Sequence, residues 1–116
     1  MTLAITNEFH ETIRKRFPEV IFAEEAIQEV MGVSLDELRH GKKTQTNAMA
    51  RTIFFHLCKD FVRPTYHLSS YIAHSHSMIT YWEKIYNDLS ETYVPFMRFA
   101  DKAKKVFNKK IEDAEI

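Results

Sequence analysis

The sequence has little of what interrupts or cross-links a chain: one cysteine, two glycines and three prolines among 116 residues. A single cysteine, Cys58, cannot form an intrachain disulfide. Its place inside an apolar run predicts a small buried side chain and not a reactive thiol. Few positions are left to punctuate the chain, so regular elements are expected to follow one another closely.

Long apolar runs are also lacking. No uninterrupted stretch approaches the roughly 20 apolar residues that cross a bilayer as a helix. The chain does not open with the charged segment and apolar segment that mark a signal peptide. We therefore expect a cytoplasmic protein with no membrane partner.

Strand-like alternation is nearly absent, whereas apolar residues recur three and four positions apart, which predicts an all-α fold. With 45% apolar residues the chain is long enough for one compact domain. We expect a bundle of five or six helices over residues 1–116, with an N-terminal helix in 1–21, a core over 22–89, and a C-terminal helix and tail over 90–116. Its buried centre should hold Ile53, Phe54, Leu57, Ile79 and Trp82.

Residues 65–89 predict a helix-turn-helix, because two stretches with helical apolar spacing flank a polar corner. In the second stretch the apolar residues continue over three turns. Either Ser75 or Ser77 is expected to cap that helix by accepting a backbone N–H hydrogen bond. His74, His76 and Met78 then lie on or beside its exposed first turn, which such motifs place in the major groove of DNA.

Capping residues and helix breakers place the other helices. A capping box predicts a short helix opened by Ser34 and Glu37. Gly32 should stop the helix before it, whose Glu24, Glu25 and Glu29 are expected to face solvent. The predicted helices cover residues 6–17, 22–31, 34–39, 46–62 and 91–111. Thr6 or Asn7 is expected to cap the first of them, Thr46 or Asn47 the fourth, and Ser90 the last.

Net charge is zero, but the charges are unevenly spread. Residues 1–38 carry eight acidic and three basic side chains, whereas residues 39–63 carry six basic and one acidic. Within that second segment lies a basic loop, HGKKTQTN, in which Lys42, Lys43 and Thr44 suit a phosphate backbone. Arg51, near the start of the next helix, is expected to project toward a phosphate or a glutamate. These observations favour double-stranded DNA as the partner.

The segment VMGVSLDELRHGKKTQTNAMARTIFFHLCKDF resembles the C-terminal DNA-binding domain of the bacterial replication initiator DnaA, whose fold is related to that of the Trp repressor. The resemblance covers residues 22–89. A second segment, SHSMITYWEKI, is similar to the family's aspartate-histidine-threonine-threonine-valine signature. The matching positions are Ala48, Arg51, Leu57, Lys59, Asp60, His76, Ser77 and Ile79.

The resemblance implies sequence-specific DNA binding in the regulation of replication or transcription. It places Lys43 in the minor groove and sets His76 and Ser77 at base edges. The signature departs from the family at Ser75 and Met78, and before it at Ile72, Ala73 and His74, where the family has two glycines and an arginine. The candidate DNA-contacting residues are Lys42, Lys43, Thr44, Arg51, His74, Ser75, His76, Ser77 and Met78.

Two other classes of function remain open. His74 and His76, with other histidines or Cys58, suggest a metal site, but no four-ligand zinc spacing is present, so we expect no metal, no cofactor and no enzyme. The alternative is a protein-interaction module that kept the fold and lost DNA binding, since fold alone does not determine function. For the lysine-rich C-terminal helix three interpretations stay open: a solvated surface, a second DNA-contacting surface, or a contact with a second copy or another protein.

Overall fold

A computed structural model describes the backbone of residues 2–115 and the side chains of residues 8–115. Over residues 2–115 the chain forms seven α-helices and no β-strand, which confirms the all-α class, with more helices than the expected five or six. In this part of the chain, no helix is both long enough and apolar enough to cross a bilayer. The helices are α1 Thr2–Arg16, α2 Glu19–Met31, α3 Leu35–His40, α4 Gln45–Cys58, α5 Tyr66–Tyr71, α6 Met78–Thr92 and α7 Val94–Ala114.

Helix α4 is the central element, and it packs against α2, α6 and α7. Ten of its 14 residues are buried, so it presents apolar side chains in nearly every direction. The predicted centre is confirmed: Ile53, Phe54, Leu57 and Trp82 are buried, and the half-buried Ile79 packs against them. Helices α3 and α5 also contact α4, whereas α1 packs on α2 and α5.

Short-range signals placed some helix ends correctly. The capping box is present, because the Ser34 hydroxyl accepts the Glu37 N–H at 3.2 Å and the Glu37 carboxylate accepts the Ser34 N–H at 3.1 Å. Gly32 ends α2 with a φ of 69°, a conformation that costs glycine little. Cys58 is fully buried, as expected from its apolar surroundings.

Other helix ends were predicted wrongly. Helix α4 begins at Gln45, one residue before the predicted range, because Thr44 caps it by accepting the Asn47 N–H on its hydroxyl at 3.1 Å. It ends at Cys58 and not at residue 62. Helix α2 begins at Glu19 and not at residue 22. Ser90 lies inside α6, where its hydroxyl donates to the Tyr86 carbonyl at 2.6 Å, so it does not cap α7. Helix α1 begins before residue 6, and the side chains of Thr6 and Asn7 fall outside the described residues.

The prediction that the acidic side chains of α2 are simply solvated is wrong for Glu24. Its side chain is only 11% exposed, and it accepts hydrogen bonds from the Tyr71 hydroxyl at 2.6 Å and from Arg14 at 3.0 Å. Burial raises the pKa of Glu24, against the opposing effects of the Tyr71 hydrogen bond and the Arg14 charge. This buried network ties α1, α2 and α5 together.

Lys110 of α7 binds the acidic face of α2. Its ammonium lies 3.5 Å from the Glu25 carboxylate and 3.1 Å from the Glu29 carboxylate. Both carboxylates are about half exposed, so these pairs add little stability. They mark where the two helices cross.

The turn between α5 and α6 is closed by an alanine in the left-handed conformation. Ala73 has a φ of 59°. The Ala73 N–H donates to the Ser70 carbonyl at 3.0 Å and the His74 N–H to the Ser69 carbonyl at 2.8 Å, which is the Schellman arrangement. An L-alanine pays a steric cost there that glycine does not.

Ala73→Gly is therefore expected to raise the free energy of unfolding by about 0.5–1 kcal/mol, the left-handed cost less the extra chain entropy of glycine. Thermal melting should rise by about 2–4 °C. Ala48→Gly, at an exposed position in α4, is the matched control and should lower stability by about 1 kcal/mol. A lower melting temperature for Ala73→Gly would contradict the argument.

Candidate nucleic-acid interface

The basic loop and the start of α6 lie on either side of one concavity of about 690 Å³, which we call the loop–α6 groove. Its lining holds six of the nine residues proposed from the sequence, which come from segments some 30 positions apart. The groove is lined by Lys43, Thr44, Gln45, Ala48, Arg51, His74, Ser77, Met78, Tyr81 and Trp82. Lys42, Ser75 and His76 do not line it.

Short hydrogen bonds hold the backbone of the basic loop. The Lys42 carbonyl accepts from the Thr44 N–H at 2.8 Å and from the Asn47 side-chain amide at 2.9 Å. Gly41 has no room for a side chain, because a Cβ there would lie 2.4 Å from the Glu37 carbonyl oxygen. The loop thus holds one path while the side chains of Lys42 and Lys43 stay exposed.

Arg51 does not project, and the prediction of an exposed phosphate ligand is wrong. Only 5% of the residue is exposed. Its guanidinium donates to the carbonyls of Leu38 at 2.7 Å, Gly41 at 2.9 Å and Glu37 at 3.1 Å. These carbonyls lie in the last turn of α3 and just beyond it, and the Glu37 carbonyl also accepts the Gly41 N–H at 2.8 Å. Arg51 therefore fixes α3 and the basic loop onto α4.

The predicted serine cap of α6 is absent. Ser77 occupies the position before the helix but has helical backbone angles and makes no side-chain hydrogen bond to the helix. Its hydroxyl instead pairs with that of Ser75 at 2.6 Å. Turn hydrogen bonds from the N–H groups of Met78 and Ile79 begin the helix. The Ser77 hydroxyl stays exposed in the groove.

The two histidines of the motif have different surroundings. His74 lines the groove and meets the Trp82 ring edge-on, with ring centres 5.8 Å apart. Its Nε2 is buried and has no hydrogen-bond partner within residues 8–115. Burial, and after it the charge of Arg51, lowers the pKa of His74, which favours a neutral ring at pH 7.

His76 lies outside the groove on the same corner. Its ring stacks on Tyr66 at 5.1 Å, and its Nε2 lies 3.2 Å from the Ser70 hydroxyl. The residue is exposed, so it remains accessible from solvent. A base-edge contact would have to compete with this packing against α5.

The basic character of residues 39–63 is not concentrated at the groove. Helix α4 has 14 residues and so separates its two ends by about 21 Å. Lys59 and Arg63 follow the far end, and Arg51 is buried. Lys42 and Lys43 are the exposed cations of the loop, and no acidic side chain lines the groove.

Sequence reasoning missed four residues of the groove: Gln45, Ala48, Tyr81 and Trp82. Tyr81 is 49% exposed, and it stands four residues after Ser77, a spacing that places both on one helix face. That spacing was a usable signal. Gln45 lies just before the predicted range 46–62, whereas the structure places it in the first turn of α4.

Within residues 8–115, no three histidine, cysteine, aspartate or glutamate side chains are grouped so that they could hold a metal ion. The chain matches no family model, no curated protein and no solved structure.

Proposed function

We propose that the protein binds double-stranded DNA, with the start of α6 in the major groove and the basic loop on the adjacent backbone. The observation that carries this proposal is the shared groove. Lys43 and Thr44 of the basic loop line it together with Ser77 and Met78 at the start of α6. A cationic loop next to an exposed helix start combines a phosphate contact with access to base edges.

The physical properties of both sides support this arrangement. Lys42 and Lys43 are exposed and near no acidic lining residue, so each is available to neutralise a phosphate. The first turns of α4 and α6 contain no acidic side chain that would repel DNA. On α6, Ser77 and Tyr81 present hydroxyls, and Met78 presents an apolar surface suited to a thymine methyl group.

The resemblance to the DnaA C-terminal domain supports the same proposal through the residues quoted above. By that resemblance, the protein acts in regulating replication or transcription. The structure changes the proposed set of contacts in two respects. Arg51 has a structural role, and Gln45 and Tyr81 join the surface.

Lys43→Ala tests the proposal. It should weaken binding to all duplexes by a similar factor and reduce the slope of log affinity against log salt by about 0.9, the value for one lost phosphate contact. Fluorescence anisotropy on labelled duplexes between 50 and about 200 mM salt measures this slope. Lys105→Ala, which removes an exposed charge from α7, is the matched control and should leave the slope unchanged. Equal slopes for both variants and the wild type would remove the groove from the DNA surface.

One observation favours the alternative of a protein-interaction module. Val94 and Met97 lie one turn apart at the start of α7 and are exposed, 56% and 41% respectively. An apolar pair of this kind suits a second copy or a partner protein bound through the C-terminal helix. Failure to bind any duplex at low salt, together with a dimer in sedimentation equilibrium that Met97→Lys dissociates, would favour this function.

A further inference from the structure

We propose that the loop–α6 groove binds a small molecule in which a planar aromatic ring is joined to a phosphate, the chemistry of a nucleoside monophosphate. The volume of about 690 Å³ falls within the range of roughly 300–1,000 Å³ that is typical of small-molecule sites. This inference does not depend on the proposed binding of duplex DNA.

The loop side of the groove suits a phosphate. Lys43 and Arg51 both line it, and none of the ten lining residues is acidic. Arg51 is only 5% exposed and its Nε and Nη2 already donate to α3 and the loop, so it contributes positive charge beside the groove and no direct contact. Thr44 begins α4 at the same edge, so the positive end of a 14-residue helix adds to this field. A phosphate monoester carries about −1.5 to −2 charges at pH 7 and accepts several hydrogen bonds.

The α6 side suits an aromatic ring. The lining includes the apolar Met78, the half-exposed ring of Tyr81 and Ala48 of α4, together with the indole of Trp82, which is only 1% exposed. Trp82 is held by packing against Phe55, at 5.6 Å between ring centres. Tyr81 is 49% exposed, so part of its ring is accessible to a planar ligand. Such stacking tolerates different bases, because every base has a π-face.

Two sources supply this chemistry: a free nucleotide, or an unpaired nucleotide at the end of a DNA strand. Both place a base against α6 and a phosphate near Lys43. They differ in whether a longer strand adds affinity. The experiment therefore includes adenosine 5′-monophosphate alone and a duplex with one unpaired, 5′-phosphorylated adenine.

Trp82 is the only tryptophan of the chain and lies in the groove wall, so its fluorescence reports on the site directly. We expect adenosine 5′-monophosphate to change the emission in a saturable manner. Adenosine, which lacks the phosphate, and ribose 5-phosphate, which lacks the ring, should each bind at least tenfold more weakly. Equilibrium dialysis with labelled nucleotide gives the same constants without relying on the emission. Equal binding of adenosine, or no binding by dialysis, would overturn the proposal.

Neighbouring lysines provide matched variants, since Lys43 lines the groove and Lys42 does not. Lys43→Ala should weaken nucleotide binding by about tenfold, the equivalent of one charge-assisted contact. Lys42→Ala should change it less than twofold, and thermal melting should show both variants folded. An equal loss in both variants would mean general charge attraction and would overturn the site.

The measurements distinguish a free nucleotide from a strand end, and they distinguish nucleotide binding from the proposed binding of duplex DNA. A tenfold gain for the overhanging duplex over the mononucleotide, reversed by excess mononucleotide, identifies a strand end as the ligand, whereas equal affinity identifies the free nucleotide. Nucleotide binding without blunt-duplex binding would support this inference and contradict the proposed function. Blunt-duplex binding without nucleotide binding would do the reverse.

Discussion

Arg51→Ala is expected to lower the free energy of unfolding by about 3–4 kcal/mol, and thermal melting by about 12–16 °C. The substitution removes the donor shared by three carbonyls at the end of α3 and the start of the basic loop. The Glu37 carbonyl keeps the Gly41 N–H as a donor, but a carbonyl left without a partner in a buried site costs about 1–3 kcal/mol when water does not replace the donor. Loss of the packed aliphatic stem adds to that cost.

Arg51→Met separates the two contributions, because methionine fills the space of the stem and donates no hydrogen bond. Arg51→Met should lower the free energy of unfolding by about 1–2 kcal/mol less than Arg51→Ala does. Urea unfolding followed by circular dichroism measures both variants. If Arg51→Ala kept full stability and lost only DNA affinity, the guanidinium would be a phosphate ligand after all.

Glu24→Ala is expected to lower the free energy of unfolding by about 3 kcal/mol, because the Glu24 carboxylate is buried. The change leaves the Tyr71 hydroxyl buried without an acceptor and removes the carboxylate that Arg14 contacts at 3.0 Å. A fully buried pair would lose more, but the Arg14 side chain is 33% exposed and can turn to water. The effect should appear as weaker attachment of α1, since Arg14 and His10 both contact Tyr71.

Two comparison variants test this explanation. Glu24→Gln keeps an acceptor for Tyr71 and should cost about 1 kcal/mol. Glu25→Ala removes a neighbouring carboxylate that is half exposed, and should change stability by less than about 1 kcal/mol. Amide hydrogen exchange in α1 is the most direct readout. Equal protection of α1 in all three variants would show that the network does not hold that helix.

The features that the sequence predicted well depend on residues close together in the chain. The capping box needs Ser34 and Glu37, three positions apart, and the stripe of α4 needs only helical periodicity. Trp82 was placed correctly because it combines the largest apolar side chain with that spacing. These signals act over one or two turns, which is the range that pattern reasoning covers.

The predictions that failed concern side chains whose partners are distant in the sequence. Arg51 meets a carbonyl 13 positions earlier, and Tyr71 meets Glu24 across 47 positions. A charged residue at a helix start looks the same in the sequence whether it faces water or caps another helix. The same limit explains why six residues of the groove were proposed as separate contacts while the cavity between them was not foreseen.

The backbone of the basic loop is preorganised for binding. Its backbone is already bonded at Gly41, Lys42 and Thr44, so binding a phosphate orders little more than the Lys43 side chain. A flexible loop would lose about 1–2 kcal/mol for each residue that it immobilises. Complex formation at this loop should thus proceed as docking of a ready-made surface, with no folding step to slow association.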